Sequence, residues 1–231
     1  MAESLLQDFT APYSPFESFM YDYFIAGAVG DFVKDAMDEF LGEMPRGASI
    51  LEVGCGGGHL ATEIMRRRPD LEFTGLDLSH EQIARARKRN QNSPGNPRFV
   101  QGSALELPFD EGSFDGIFSV ASIKHWPDQR LGVSECVRVL RPGGTLLIAE
   151  ADRGCKLEDA RNFVAHWRIP AALRPIALMG FRTFVAGQGI DEGEALAHLK
   201  SQPLKDCEVQ KQPGMPSLAL VGKKKAKKKS P

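Results

Sequence analysis

The sequence predicts an α/β fold: a seven-stranded, mostly parallel sheet with helices on both faces and an antiparallel closing strand. Three observations lead there. Short apolar runs rich in β-branched and aromatic residues recur at "ASILEV", "LEFTGLDL", "PRFVQG", "FDGIFSV" and "GTLLIAE". Helix-like segments at about 58–68, 80–91 and 129–140 separate most of them, and strands alternating with helices at this spacing build βαβ units. Two late runs, "KDCEVQKQ" and "PSLALVGK", stand close enough in the chain to form an antiparallel pair.

Each element has its own signal. Residues 16–42 read as one or two helices carrying Phe16, Phe19, Tyr21, Tyr23 and Phe24. The apolar run ending at Val53 meets a glycine-dense turn, and a helix opens behind it. Ser79 precedes "HEQIARARKRN" with Gln82 three residues on, the pattern of a capping box. "LRPGG" (Leu140 to Gly144) ends the helix over 129–140 and turns the chain toward a strand. Residues 156–179 are helical in period, interrupted by Pro170 and Pro175, and "IDEGEALAHL" follows as another helix. The organisation expected is an N-terminal helical lid (1–45), a central domain (46–222) with a cap at about 156–190, and a disordered lysine-rich tail (223–231).

Composition narrows the classes. With 231 residues, 42% hydrophobic and 26% charged, the chain is ordinary globular protein of one large domain. No run of about 18 apolar residues exists, so no membrane span is expected. The N-terminus lacks the basic start and apolar core of a secretory signal. Cys55, Cys136, Cys155 and Cys207 are far apart and show no metal-ligand spacing. They read as reduced thiols of a cytoplasmic protein, with no metal. Six of the 29 basic residues crowd into "KKKAKKKSP", leaving 23 against 30 acids, a body charge of about −7. An acidic body argues against a nucleic-acid-binding face, while the solvated tail offers weak contact to polyanions.

The chemistry starts at "LEVGCGGGHL". Gly54, Gly56, Gly57 and Gly58 follow a strand and open a helix, at the strand end where open α/β sheets bind ligands. A phosphate loop would need GxxxxGK[ST], and no Lys or Ser follows here. The dinucleotide pattern GxGxxG would need glycine at 59, where His59 stands. What remains is Glu52 two residues before a GxGxG, with Asp77 closing the next strand 23 residues after Gly54. An acid at that point can accept hydrogen bonds from both hydroxyls of a ribose.

"ILEVGCGGGHLA", "FTGLDLSHEQIARAR", "VQGSALELPFDEGSFDGIFSVASIKHW" and "ECVRVLRPGGTLLIAE" together resemble the class I S-adenosylmethionine-dependent methyltransferases, which have a Rossmann-like sheet. They are most similar to the small-molecule branch around the ubiquinone and menaquinone biosynthesis enzymes, over about residues 48–151. The resemblance implies S-adenosylmethionine as cofactor and a small, hydrophobic or aromatic acceptor. It implies that Gly54, Gly56 and Gly58 let the backbone approach the cofactor, with Glu52 near its amino group. Asp77 would hold the ribose, Leu78 would cover an adenine face, and Ser103 and Ala104 would meet the adenine edge. Many members carry Asp where this chain has Ser103; an uncharged acceptor there weakens binding by about 1 kcal/mol. Ser119 and Val120 would underlie the methyl-transfer site.

Transfer from a sulfonium is an in-line displacement to an acceptor that the protein aligns. A base is needed only for an acceptor that carries a proton, and the candidate is His125 in "SIKHWPD". His125 also reads as a loop residue packed with Trp126. Lys124 reads as a solvated loop charge, Cys55 as a packing residue and His59 as a cap. Candidate acceptor-binding residues are Tyr21, Tyr23, Trp126 and Trp167, with the cap's Arg168, Arg174 and Arg182 available to a carboxylate.

Other classes fit less well. Short-chain oxidoreductase chemistry wants a YxxxK pair after the fourth strand, yet every tyrosine lies at 13, 21 or 23. The Asn/Asp-Pro-Pro-aromatic run of nucleic-acid amine methylation is replaced by "SVAS", and no Pro-Cys nucleophile is present there. An RNA or protein acceptor, and a non-catalytic cofactor-binding scaffold, remain open at this stage.

Overall fold

The computed structural model describes residues 30–226. Tyr21 and Tyr23, most of the expected lid and the last five residues lie outside that range. The described chain runs α1 (Lys34–Glu43), β1 (Ser49–Val53), α2 (His59–Arg67), β2 (Glu72–Asp77), α3 (His80–Asn90), β3 (Arg98–Gln101), β4 (Phe114–Val120), α4 (Gln129–Val139), β5 (Leu140–Ala151), α5 (Leu157–Ala165), α6 (Arg174–Gly180), α7 (Glu192–Lys200), β6 (Leu204–Lys211) and β7 (Ser217–Lys224).

The seven strands form one sheet in the order β3-β2-β1-β4-β5-β7-β6. Pairings from β3 to β5 are parallel, and β7 is antiparallel to both of its neighbours. The strand order reverses between β1 and β4, which opens a crevice at their carboxyl ends. Apolar side chains pack on both faces. Phe40 and Met37 of α1, Ile64 and Met65 of α2 and Ile83 of α3 join Phe73 and Phe118 of the sheet on one side. Val133 and Val137 of α4 and Leu199 of α7 meet Leu51, Ile117 and Leu146 on the other.

Local signals explain the helix starts. Ser79 Oγ accepts from Gln82 N at 3.3 Å, and Asp128 accepts from Leu131 N at 2.9 Å. A complete reciprocal capping box forms at Asp191 and Glu194, which opens α7.

One expectation is refined and one needs correction. "LRPGG" does end α4, with Leu140 as its C-cap, but β5 already begins at Leu140, and pairing with β4 jumps from Phe114↔Leu140 to Gly116↔Thr145. Arg141 to Gly144 therefore bulge out of a continuing strand, with Gly143 at φ +84°. The lysine run is not a tail from residue 223 onward, because Lys223 and Lys224 are β7 residues. Lys223 Nζ meets Glu43 Oε1 at 2.7 Å, and the buried Lys224 Nζ donates to the Leu140 carbonyl at 2.7 Å.

The cap over residues 156–190 comprises α5, α6 and a π-helical turn at Phe181–Val185. Phe163, Trp167 and Phe181 cluster there, with ring centroids 5.3 to 6.1 Å apart, and Phe163 also meets Phe32 at 5.3 Å. A bridge from Asp152 to Ile190 closes the base of the cap against the end of β5.

Candidate active site

The glycine turn is bound to its neighbours through its backbone. Gly54 N and Cys55 N both donate to the Leu76 carbonyl, at 2.7 and 2.9 Å. From behind, Asn90 Nδ2 donates to Gly58 O at 3.0 Å, and Arg89 donates to Gly57 O. The glycines do different jobs. A Cβ on Gly54 would stand 2.0 Å from Ser122 Oγ, and one on Gly58 would stand 2.7 Å from Asn90 Nδ2. Both are required by packing inside the fold. At Gly56 a Cβ would meet no atom within 4 Å, so only φ +49° and whatever enters the crevice favour glycine there.

Asp77 faces this turn. Its Oδ2 accepts from Gly56 N and its Oδ1 from Ser79 N, each at 2.9 Å, so the carboxylate is aimed by two backbone donors. Burial raises its pKa, while those two donors and the field of His125 pull the other way. Carboxylate lone pairs beyond these two bonds are available to hydroxyl donors. Leu78 beside it is 52% exposed, an apolar surface at the mouth of the crevice.

Glu52 is the anomaly. It is 3% exposed, and its Oε2 has no hydrogen-bond partner among the described residues. Burial, and then the Asp77 charge, push its pKa well above the ordinary carboxylate range. A buried carboxyl without a partner is costly, and a cationic donor placed in the crevice would satisfy it. Cys55, buried between the two acids, has its thiol pKa raised well above normal by burial, so it stays protonated and packs against Gly75.

The other predicted residues divide. Ser119 and Val120 are buried at the end of β4, and Ser119 Oγ has no partner among the described residues. Ser103 Oγ accepts from Leu105 N at 3.1 Å, which ties it into the turn after β3, and Ala104 packs against the core beside it. His125 ends a short 3₁₀ turn (Ile123–His125) after β4, half-buried and within the electrostatic reach of Asp77. The Trp126 ring fills the space over Gly132, where a Cβ would come within 2.4 Å, and its Nε1 donates to Ser122 Oγ at 3.1 Å. Trp167 lies in the cap's aromatic cluster, its buried Nε1 without a hydrogen-bond partner among the described residues.

Sequence reading missed one pair. Lys124, expected as a solvated charge, is 7% exposed and meets the fully buried Glu150 at 2.9 Å. Glu150 also accepts from Ala151 N at 2.8 Å and from Lys124 N at 3.4 Å. The pair fastens the turn that carries His125 to the end of β5. The signal lay in two charges at the ends of adjacent strands, legible only once β4 and β5 were known to be neighbours.

Comparison with known proteins agrees with this geometry. Residues 51–148 match a family described as a methyltransferase domain. An O-methyltransferase of Aspergillus nomiae is 39% identical over 48% of this chain and 50% of its own length. A fatty-acid O-methyltransferase of Mycolicibacterium smegmatis is 41% identical over 59% of this chain and 46% of its own. The chain thus spans about half the length of the curated relatives it matches. Among solved structures, an S-adenosylmethionine-dependent methyltransferase of Aquifex aeolicus superposes with TM-score 0.68 at 14% identity, covering 91% of this chain and 98% of that one. One from Methanococcus maripaludis gives 0.66 at 18% identity, covering 92% of each. The fold is shared with these solved S-adenosylmethionine-dependent methyltransferases, and residues 51–148 are similar to a methyltransferase domain.

Proposed function

We propose that this chain, with its methyltransferase domain at residues 51–148, transfers the methyl group of S-adenosylmethionine to a small, hydrophobic or aromatic acceptor. The observation that carries the reading is Glu52: a buried carboxyl with one oxygen unpartnered among the described residues, one strand from a clamped Asp77. That pair of acids fits a ligand with an ammonium group at one end and a ribose at the other. The relatives named as O-methyltransferase and fatty-acid O-methyltransferase support a small acceptor.

S-adenosylmethionine supplies an already activated methyl on a sulfonium. The chain's part is alignment and exclusion of water, worth up to about 7–11 kcal/mol in well-oriented systems. In this reading Glu52 receives the ammonium, Asp77 the ribose hydroxyls, and Leu78, Ser103 and Ala104 border the base. Gly56 leaves room above the turn, and Ser119 with Val120 forms the floor. For an acceptor hydroxyl, His125 takes the proton. An imidazole is suited to that task near neutral pH. Trp167 faces the acceptor from the cap. The four free cysteines support a cytoplasmic setting, and no described helix is long and apolar enough to cross a membrane.

Calorimetric titration with S-adenosylmethionine, S-adenosylhomocysteine and NAD tests the reading. The first two are expected to bind at one site per chain; NAD binding in their place overturns it.

A further inference from the structure

The cap carries a surface that the site does not use. Residues 160–190 hold four arginines (Arg161, Arg168, Arg174, Arg182) and no acid, whereas the other 200 residues hold 25 of the 29 bases and all 30 acids. All four arginines are exposed, and none makes an ion pair among the described residues. Among these cations stand four of the large exposed apolar side chains: Leu173 at 50%, Ile176 at 64%, Met179 at 66% and Phe184 at 60%. Ile176 and Met179 lie three apart on α6 and so share a helix face. Ala177, Leu178 and Phe181 turn the other way and pack on the aromatic cluster. The helix therefore buries one side in the cap and shows water the apolar side chains of the other.

In a chain of net charge −1, residues 160–190 combine four arginines, no acid and four exposed apolar side chains, beyond Glu158 and Asp159 in the first turn of α5. Such a stretch suits an apolar phase edged with negative charge. From this charge complementarity we propose that the cap docks on an anionic lipid surface, with Leu173, Ile176, Met179 and Phe184 entering the headgroup boundary and the arginines meeting lipid phosphates. A free phosphate would use the arginines and leave the apolar residues exposed. A protein groove would use the apolar residues with no call for four cations. Lys223 and Lys224 are a separate matter: Lys223 pairs with Thr145, where β5 begins its pairing with β7, while the cap follows Ala151 at the other end of that pairing. Charge on these two lysines does not by itself bring Ile176 and Met179 to a membrane.

Flotation of the full chain with vesicles of phosphatidylcholine alone, and of phosphatidylcholine mixed with phosphatidylglycerol, tests the proposal. The chain is expected to float only with the anionic vesicles and to be released by salt. Ile176→Ser with Met179→Ser is expected to reduce partitioning by at least about tenfold. Arg174→Gln and Arg182→Gln should each weaken it about fivefold, the equivalent of about 1 kcal/mol per arginine. All four positions are exposed, so folding and S-adenosylmethionine binding should be retained; calorimetry on the same samples separates a docking failure from a site failure. Equal partitioning of the parent and the Ile176→Ser/Met179→Ser protein would overturn the proposal and leave the lysine run as the contact. So would a parent dimer in light scattering that the double substitution converts to monomer, since the face would then cover a second copy.

Discussion

The crevice beside β1 and the cap beyond β5 differ in how their parts are held. Around the glycine turn, position is set by backbone: Leu76 O takes two N–H groups, and Gly56 N and Ser79 N aim Asp77. In the cap, and in the turn after β4, position is set by side chains: Phe32 on Phe163 in the cap, Lys124 on Glu150 and Trp126 over Gly132 in the turn. Backbone-set geometry follows from short motifs and tolerates few residue types. Side-chain-set geometry can be rebuilt with other residues, so that half of the molecule can change while the crevice keeps its shape.

The largest expected effect lies on the side-chain-built half. Lys124→Met leaves Glu150 charged and buried with its strongest partner gone, and breaking a buried pair costs about 3–5 kcal/mol. Replacing both with apolar residues, Lys124→Met with Glu150→Leu, is expected to recover most of that loss. Urea denaturation of the two variants measures it. A single-variant loss below about 1 kcal/mol would mean that the pair is exposed in solution and does not fasten the His125 turn.

Next come the glycines, which split the backbone-built half. Gly54→Ala combines a left-handed φ of +80° with a Cβ driven into Ser122, and should cost about 2–4 kcal/mol from strain and overpacking together. Gly56→Ala meets open space and should cost only about 1–2 kcal/mol. If the crevice holds the cofactor, Gly56→Ala should nevertheless lose S-adenosylmethionine affinity out of proportion to its stability. Denaturation and calorimetry on both variants decide this, and equal profiles would remove the distinction between packing glycine and ligand glycine.

Glu52→Gln sharpens the comparison within the crevice itself. The folded-state pKa of Glu52 is raised by burial and by Asp77, so ionising it works against the fold. Stability of the unliganded protein should fall as pH rises from the ordinary carboxylate range toward the raised value, and flatten above it. Glutamine removes that slope, so the variant should gain on its parent as pH rises. Affinity for S-adenosylmethionine should drop about 10- to 100-fold, the value of a charge-assisted hydrogen bond of about 1.5–3 kcal/mol. Denaturation across pH, paired with calorimetry, checks both signs; unchanged affinity would remove Glu52 from the site.

What could be read from the sequence follows the same division. The strands, the turn and Asp77 were legible because glycine density, β-branched runs and a strand-end acid are local patterns. Seven strands were expected and seven form. "LRPGG" showed the end of α4 but not the bulge, because a bulge and a turn look alike until the partner strand is known. Lys223 and Lys224 were lost in a charge run, since nothing local shows that the Arg138 and Leu140 carbonyls wait for a cation. The seat of the Trp126 ring over Gly132 was not legible, since the two meet only once α4 turns back on the segment after β4.

The smallest expected effect concerns Trp167, in the aromatic cluster of the cap. Its indole Nε1 is buried and without a partner among the described residues, a cost of about 1–3 kcal/mol that Trp167→Phe would remove. The same change deletes half of a ring packed at 5.8 and 6.1 Å from Phe163 and Phe181, a loss of similar size. The two terms oppose, so net stability should move by no more than about 1 kcal/mol. Its effect should appear in the kinetics. If the N–H awaits an oxygen of the acceptor, KM should rise about three- to tenfold, the value of one neutral hydrogen bond, while affinity for S-adenosylmethionine holds. An unchanged KM would make Trp167 cap packing alone and shift acceptor choice to other residues of the cap.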